Sequence, residues 1–396
     1  METGGCHDKM SDRKKFLGLL SVFLFFYFIP EEAPRIGIGL TEAVWMTRDY
    51  AREHVLLCLV PAFFIAGAIS VFISRDSILK YLGVGANLVV AYTVAAVSGT
   101  VLAVCSCTIL PLFAGIYMRG AGLGPAVAFL YSGPAINTLA IILTARVLGT
   151  EMGIARTFAA IVFSVLIGLT MSFVFRKEET ERTSVFQAET TEKTTPLWRT
   201  LLHVGGMIFV LVFANWAAPQ TEHRVWQVIY DIKWYIAGFF LFATILFSMF
   251  LFNAEEREAW LRSTWDYALM VLPLLLLGIL TAGFLLGRPG HEGLIPSEWI
   301  VSFIGGNSFG ANLCAALSGT LMYFATLTEV PIIQALMGAG MGKGPALALL
   351  LSGPALSLPS ILVIQALLGW KKTLVYAMLV AVQSAAAGTI YGMFSS

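Results

Sequence analysis

Apolar residues are gathered along this chain in blocks long enough to cross a bilayer. A membrane-spanning helix needs about 20 consecutive apolar residues. By that measure 54–74, 151–175, 200–217, 233–252, 266–287 and 372–394 are spans. A shorter run at 16–30 follows Arg13, Lys14 and Lys15, the shape of a secretory signal. Its continuation, Pro30-Glu31-Glu32-Ala33, has no small-x-small cleavage site. The run therefore reads as a retained first span with its flanks at the interface. Four more apolar stretches, 86–118, 123–148, 307–339 and 344–369, are interrupted by Gly, Pro and small polar residues. Residues 31–52 mix charge with Trp45 and Tyr50 and suit an interfacial helix. The stretch 176–199 carries five basic residues and five Glu, the composition of a solvated tether between two halves.

The interrupted stretches are copies of one another. Shifting the chain by 220 residues aligns 85–136 with 305–356 without a gap, and 21 of the 52 pairs are identical. Any two Ala-rich spans share alanines, but here the ordered landmarks match. Ser98-Gly99-Thr100 falls on Ser318-Gly319-Thr320, Pro111 on Pro331, Gly122-x-Gly124-Pro125-Ala126 on Gly342-x-Gly344-Pro345-Ala346, and Ser132-Gly133-Pro134-Ala135 on Ser352-Gly353-Pro354-Ala355. Proline lacks an amide donor and clashes with the preceding turn. Glycine costs about 1 kcal/mol against alanine in a helix. Gly99, Pro111, Gly133, Pro134, Gly319, Pro331, Gly353 and Pro354 are accordingly the expected helix breaks. In hydrocarbon a freed backbone group costs several kcal/mol unless protein or a water-filled cavity satisfies it. Paired breaks in two halves of a chain thus point to a transporter's midplane site. Closely packed or kinked helices are the alternative.

Charge sets the orientation. With the N-terminus inside and both 86–118 and 307–339 re-entering on their original side, 16 basic residues lie inside and 9 outside; single crossings give 13 and 12. The positive-inside rule selects the re-entrant arrangement, in which five crossings separate the equivalent spans and the halves are inverted. The expectation is an all-α polytopic membrane protein, built from inverted repeats with discontinuous helices, two re-entrant hairpins and about nine spans. Residues 1–52 form an N-terminal span and interfacial helix, 53–175 the first repeat, 176–199 a cytoplasmic linker, 200–252 connecting spans and 253–396 the second repeat.

Composition agrees. Of 396 residues 58% are hydrophobic and 12% charged, against roughly 45–50% and 25% in soluble chains. A formal net charge of +1 with no basic run argues against nucleic acid as a partner. Five scattered cysteines do not make a disulfide framework. Membrane lipid and a small-molecule or metalloid solute are the expected partners, with no cofactor and no certain metal site.

Candidate chemistry concentrates at the breaks. Cys105-Ser106-Cys107-Thr108 precedes Pro111. On a regular helix residues two apart point away from each other, but on extended or broken backbone they project to one side. A break here would aim two thiols at one soft ion or metalloid, since thiolates select soft acceptors. Two small cysteines filling a helix contact are the even alternative. The matching second-half segment, Thr326-Leu327-Thr328-Glu329-Val330-Pro331, has lost the thiols and gained a carboxylate. An intramembrane charge is a functional hypothesis by default, so Glu329 is a candidate for proton coupling or for neutralising a bound cation. Asn137 follows Ser132-Gly133-Pro134-Ala135 and offers an amide, as a ligand or a backbone cap; its counterpart is Ser357. Cys58 and Cys314 are weaker candidates for a third thiol. Met337 to Pro345 superficially suggests a phosphate loop, but Met337 stands at the first required glycine and Gly344 after the lysine. Neither a nucleotide-hydrolysing domain nor a hydrolase motif is present, so the expectation is a transporter and not an enzyme, driven by an ion gradient or an external partner.

The segments Cys105–Ile116, Gly124–Leu130, Ser132–Asn137 and Thr326–Pro331 resemble the predicted-permease family, the domain-of-unknown-function 318 group, over most of 53–396. That family includes the ArsP-type organoarsenical efflux permeases. The resemblance implies an inner-membrane permease and, for its arsenical members, export of trivalent organoarsenicals such as methylarsenite, a role in arsenical resistance. Carried over by position, Cys105 and Cys107 would be the thiol pair, with Glu329 and Asn137 lining the site beside Ser106, Thr108, Ser132 and Thr328. A permease for another solute with structural cysteines, or a membrane dithiol redox or scaffold protein, are the competing expectations.

Overall fold

A computed structural model describes residues 34–72, 75–83, 86–102, 106–188, 197–216, 224–288, 291–296, 304–321, 329–338 and 340–395. The expected first span at 16–30 lies outside them. The described residues are α-helical almost throughout, and the only bridge among them that is not helical joins Gly305 to Met341. Helix α1 (Pro34–Tyr50) runs through a π-helical stretch (Ala51–Leu59) into α2 (Val60–Phe72), followed by α3 (Arg75–Leu82). The first interrupted stretch becomes α4 (Leu88–Leu102) and α5 (Ser106–Met118), the second α6 (Leu123–Ala135) and α7 (Thr138–Val147). Then come α8 (Thr150–Val174), α9 (Arg176–Ala188), α10 (Leu197–Ala214), α11 (Arg224–Leu251) and α12 (Ala254–Leu286). The third interrupted stretch becomes α13 (Phe309–Leu321) and α14 (Glu329–Gly338), the fourth α15 (Lys343–Ser352) and α16 (Leu358–Leu368), and α17 (Trp370–Phe394) closes the chain.

Five described helices are long and apolar enough to cross a membrane: Val55–Phe72, Thr150–Val174, Trp226–Leu251, Ala254–Leu286 and Trp370–Phe394. The pair α6–α7, bent by 46°, makes a sixth if it is one span. The chain is a multi-pass membrane protein. The count falls short of nine because each interrupted stretch is split into helices too short to cross alone, and because Trp198–Ala214 is a shorter helix.

Element bounds recur at the repeat spacing. Adding 220 to the limits of α8, 150 and 174, gives 370 and 394, the limits of α17. Both α6 and α15 start behind a glycine in extended conformation, Gly122 and Gly342. Pro125 and Pro345 occupy the first turn, where the missing amide costs nothing. These two helices form the centre. Every residue of α6 and all of 344–352 in α15 are buried, as expected for helices that are apolar all round. Helix α6 packs against α4, α5 and α8, and α15 against α13, α14 and α17. Glycine meets glycine at close range in both halves. A Cβ on Gly168 would lie 2.6 Å from the Gly124 carbonyl oxygen, and one on Gly388 would lie 2.5 Å from that of Gly344.

Two expectations change. Gly99 and Gly319 sit within α4 and α13, and Pro111 sits within α5. For Gly319 the reason is packing: a Cβ there would stand 2.7 Å from Ser352 Oγ and 3.2 Å from the Gly353 amide. The breaks fall later, after Pro134 at 136–137 and at 353–357, where Gly353 and Pro354 lie in the turn. Pro331 occupies the first turn of α14. The segments 103–105, between α4 and α5, and 322–328, between α13 and α14, lie outside the described residues. The supposed tether 176–199 begins as helix α9, and Glu179 on it is buried. Its carboxylate accepts from the Leu123 amide at 3.2 Å, from Tyr117 Oη at 3.2 Å and from Lys372 Nζ at 3.1 Å, and Arg182 lies 3.2 Å away. The free amides at the start of α6 attract an anion, and a nominal linker supplies it. The 31–52 helix is likewise anchored, with Arg288 Nε donating to Glu42 Oε2 at 2.8 Å.

Valine at Gly168 or Gly388 should each destabilise the detergent-solubilised protein by roughly 1–3 kcal/mol through overpacking, read as a lowered midpoint of thermal unfolding. Alanine at Gly205, which has open space around it, should leave the midpoint unchanged or raise it.

Candidate functional site

The two halves meet through a buried ion pair. Glu329 is the first residue of α14, where the helix dipole favours a carboxylate. Its Oε1 lies 2.6 Å from Nη2 of Arg156, two turns into α8, and the side chains are 1% and 0% exposed. Arg156 Nη1 donates to Thr144 Oγ1 on α7 at 2.9 Å, and that hydroxyl donates to the Ala140 carbonyl at 2.6 Å. The pair thereby joins α7 and α8 of the first half to α14 of the second. Helix α7 begins directly after the interruption at 136–137. Helix α14 packs on α7, and α16 packs on α5.

Desolvating two charges costs several kcal/mol each, repaid only by good geometry. A single contact at 2.6 Å between fully buried groups makes each charge dependent on the other. The repeat does not duplicate the pair. Positions 220 away are Tyr376 for Arg156 and Ile109 for Glu329, both buried. Tyr376 instead donates its hydroxyl to the Ala355 carbonyl at 3.1 Å, which satisfies a backbone acceptor at the 353–357 interruption. One half of the junction is ionic and the other neutral.

The structure places the other sequence candidates separately. Ser106 opens α5 and Thr108 follows, both buried. Asn137 is buried at the interruption between α6 and α7. Ser132, buried in the last turn of α6, donates to the Ala95 and Phe129 carbonyls at 3.0 and 3.2 Å, a helix-packing contact. Ser357 caps α16, sharing a 2.8 Å hydrogen bond with Ser360 Oγ. Cys105, Thr328 and the side chain of Cys107 lie outside the described residues. Of the weaker thiols, Cys58 is buried on the π-helical stretch and Cys314 half-buried on α13.

Sequence reasoning missed Arg156, and the signal was present. A basic residue six positions inside a 25-residue apolar helix is the complement that an intramembrane glutamate demands. Charge counting instead assigned it to the outer loops; without it the outer tally falls from 9 to 8.

A family model described as predicted permease matches residues 41–393. The chain belongs to the predicted-permease family. It is 43% identical to the UPF0718 protein MJ0584 of Methanocaldococcus jannaschii over 87% of this chain and 93% of that one. It is 25% identical to the UPF0718 protein YraQ of Escherichia coli over 80% and 72% of the respective chains. The UPF0718 protein YcgR of Bacillus subtilis matches over 29% of this permease and 39% of its own length, at 26% identity. No solved structure matches this permease.

Arg156→Ala should destabilise the permease by roughly 3–5 kcal/mol, because it strands the Glu329 carboxylate in the core. The charge-neutral pair Arg156→Met with Glu329→Gln should recover most of that loss. Thermal unfolding of the two variants beside the parent decides it, and equal losses in both would show that the charges are independent.

Proposed function

We propose that this permease is a secondary-active exporter of a soft, thiophilic solute of the trivalent organoarsenical kind, working by alternating access between two antiparallel halves. Re-entrant hairpins would carry the interruptions to the midplane, and the protein would lie in the inner membrane with its N-terminus in the cytoplasm. The observation that carries the reading is the buried Arg156–Glu329 contact between the halves at a helix start. Rocking the halves apart must separate or neutralise that pair. A proton on Glu329 removes the attraction, so proton transfer at this carboxylate is tied to the change of access.

The solute site in this reading is the start of α5. Cys105 and Cys107 flank Ser106, its first residue. A methylated trivalent arsenic carries two exchangeable hydroxyls. Each cysteine S–H would give its proton to one of them as water leaves, forming one As–S bond per thiol without any change of oxidation state. Water reverses the exchange on the far side. Asn137, Thr108 and Thr328 would supply polar groups around the solute.

A second reading keeps the permease and changes the cargo. The positions matching Cys105 and Cys107 in the second half are Ala325 and Leu327, residue types that only pack, which favours cysteines that fill space.

Everted vesicles containing the parent should accumulate methylarsenite, and Cys105→Ser or Cys107→Ser should lower the rate at least tenfold. Glu329→Gln should abolish the response to an imposed proton gradient. Unchanged uptake in both cysteine variants would move the assignment to the second reading. Absence of methylarsenite uptake by the parent, with uptake of another solute from a panel, would do the same.

A further inference from the structure

A crevice of about 590 Å³, floored by α10, lies between α11 and the facing parts of α2 and α12. Its walls include Phe64, Met207, Gly238, Ile245 and Trp260, and no charged side chain lines it. Two of the few polar groups on the wall are already used: Thr244 Oγ1 donates to the Phe240 carbonyl at 2.7 Å, and Trp260 Nε1 to the Phe64 carbonyl at 2.8 Å. A cavity this apolar holds water poorly, and a polar solute would forfeit most of its own hydrogen bonds on entering. The rim residues Leu56, Met249 and Leu261 are exposed, so the crevice opens sideways. Three of the helices around it are membrane spans, which puts that opening at hydrocarbon depth. The lining runs from Trp234 to Met249 along α11, roughly 22 Å at 1.5 Å per residue. That exceeds one leaflet, about half of the ~30 Å hydrocarbon core.

Helix α11 needs something in this space. It packs chiefly on α10, most of its surface is exposed, and it lies outside both copies of the repeat. We propose that the crevice binds one acyl chain of a membrane phospholipid, which fills the gap and couples α11 to α2 and α12. A chain already in the bilayer gains no hydrophobic transfer energy here, so what holds it longer than bulk lipid is van der Waals packing against the crevice walls. The lipid is bound whichever solute the permease carries.

Native mass spectrometry after exhaustive detergent washing should find one phospholipid more on the parent than on Gly238→Phe, whose ring projects from the crevice wall. A second measurement does not depend on that variant folding. Trp260 is 9% exposed, so bulk lipid hardly reaches it, whereas a chain in the crevice touches it. In vesicles of brominated-acyl phospholipid, the share of tryptophan emission that Trp260→Phe removes should be quenched at least twofold relative to unbrominated vesicles. Equal lipid counts on the parent and on folded Gly238→Phe, or an unquenched Trp260 share, would overturn the proposal. A dimer mass with the crevice closed by a second copy would overturn it as well.

Discussion

Inside hydrocarbon a peptide group must find its hydrogen-bond partner within the protein, and three described departures from continuous helix in this permease show that constraint at work. The interruption at 353–357 survives because Tyr376 donates to the Ala355 carbonyl and Ser357 caps the next helix. The free amides at the start of α6 survive because Glu179 reaches them from α9. Helix α14 begins on Glu329, whose charge is then met by Arg156. The interruptions and the buried polar groups form one system, and neither is stable without the other.

That system explains which parts of the fold were legible. Spans and interruptions follow from local composition, so 151–175, 372–394 and the four split stretches can be read directly. Positions of the breaks were less legible, because glycine serves two ends. At Gly133 and Gly353 it stands beside a real interruption, while at Gly319 it allows α13 to approach Ser352. Sequence alone does not separate close packing from helix termination. The linker misled for a related reason: 176–199 has the composition of a solvated segment, yet Glu179 is one helical turn beyond α8 and within reach of Lys372 on α17. Glu329 was legible as a lone acid. Arg156 was equally legible as a lone base inside an apolar helix, but their pairing across 173 positions (329 − 156) was not, since tertiary packing sets it.

The asymmetry of the duplication bears on function. The two copies share helix bounds and glycine contacts, but the Arg156–Glu329 pair has no charged counterpart at the matching positions. Arg156 and Glu329 stand where the other copy has Tyr376 and Ile109. A neutral contact can slide with little electrostatic cost, whereas a buried pair resists separation until one charge is lost. The peripheral α10–α11 pair, absent from the repeat, is free of that constraint and faces lipid instead.

The most direct test is an experimental density map of the permease in a lipid nanodisc at side-chain resolution. The account predicts interruptions at 136–137 and 353–357 and a continuous bridge of density between Arg156 and Glu329 beside Thr144. Unbroken helices through 123–147 and 343–368, or an Arg156 side chain turned toward lipid with Glu329 elsewhere, would contradict it.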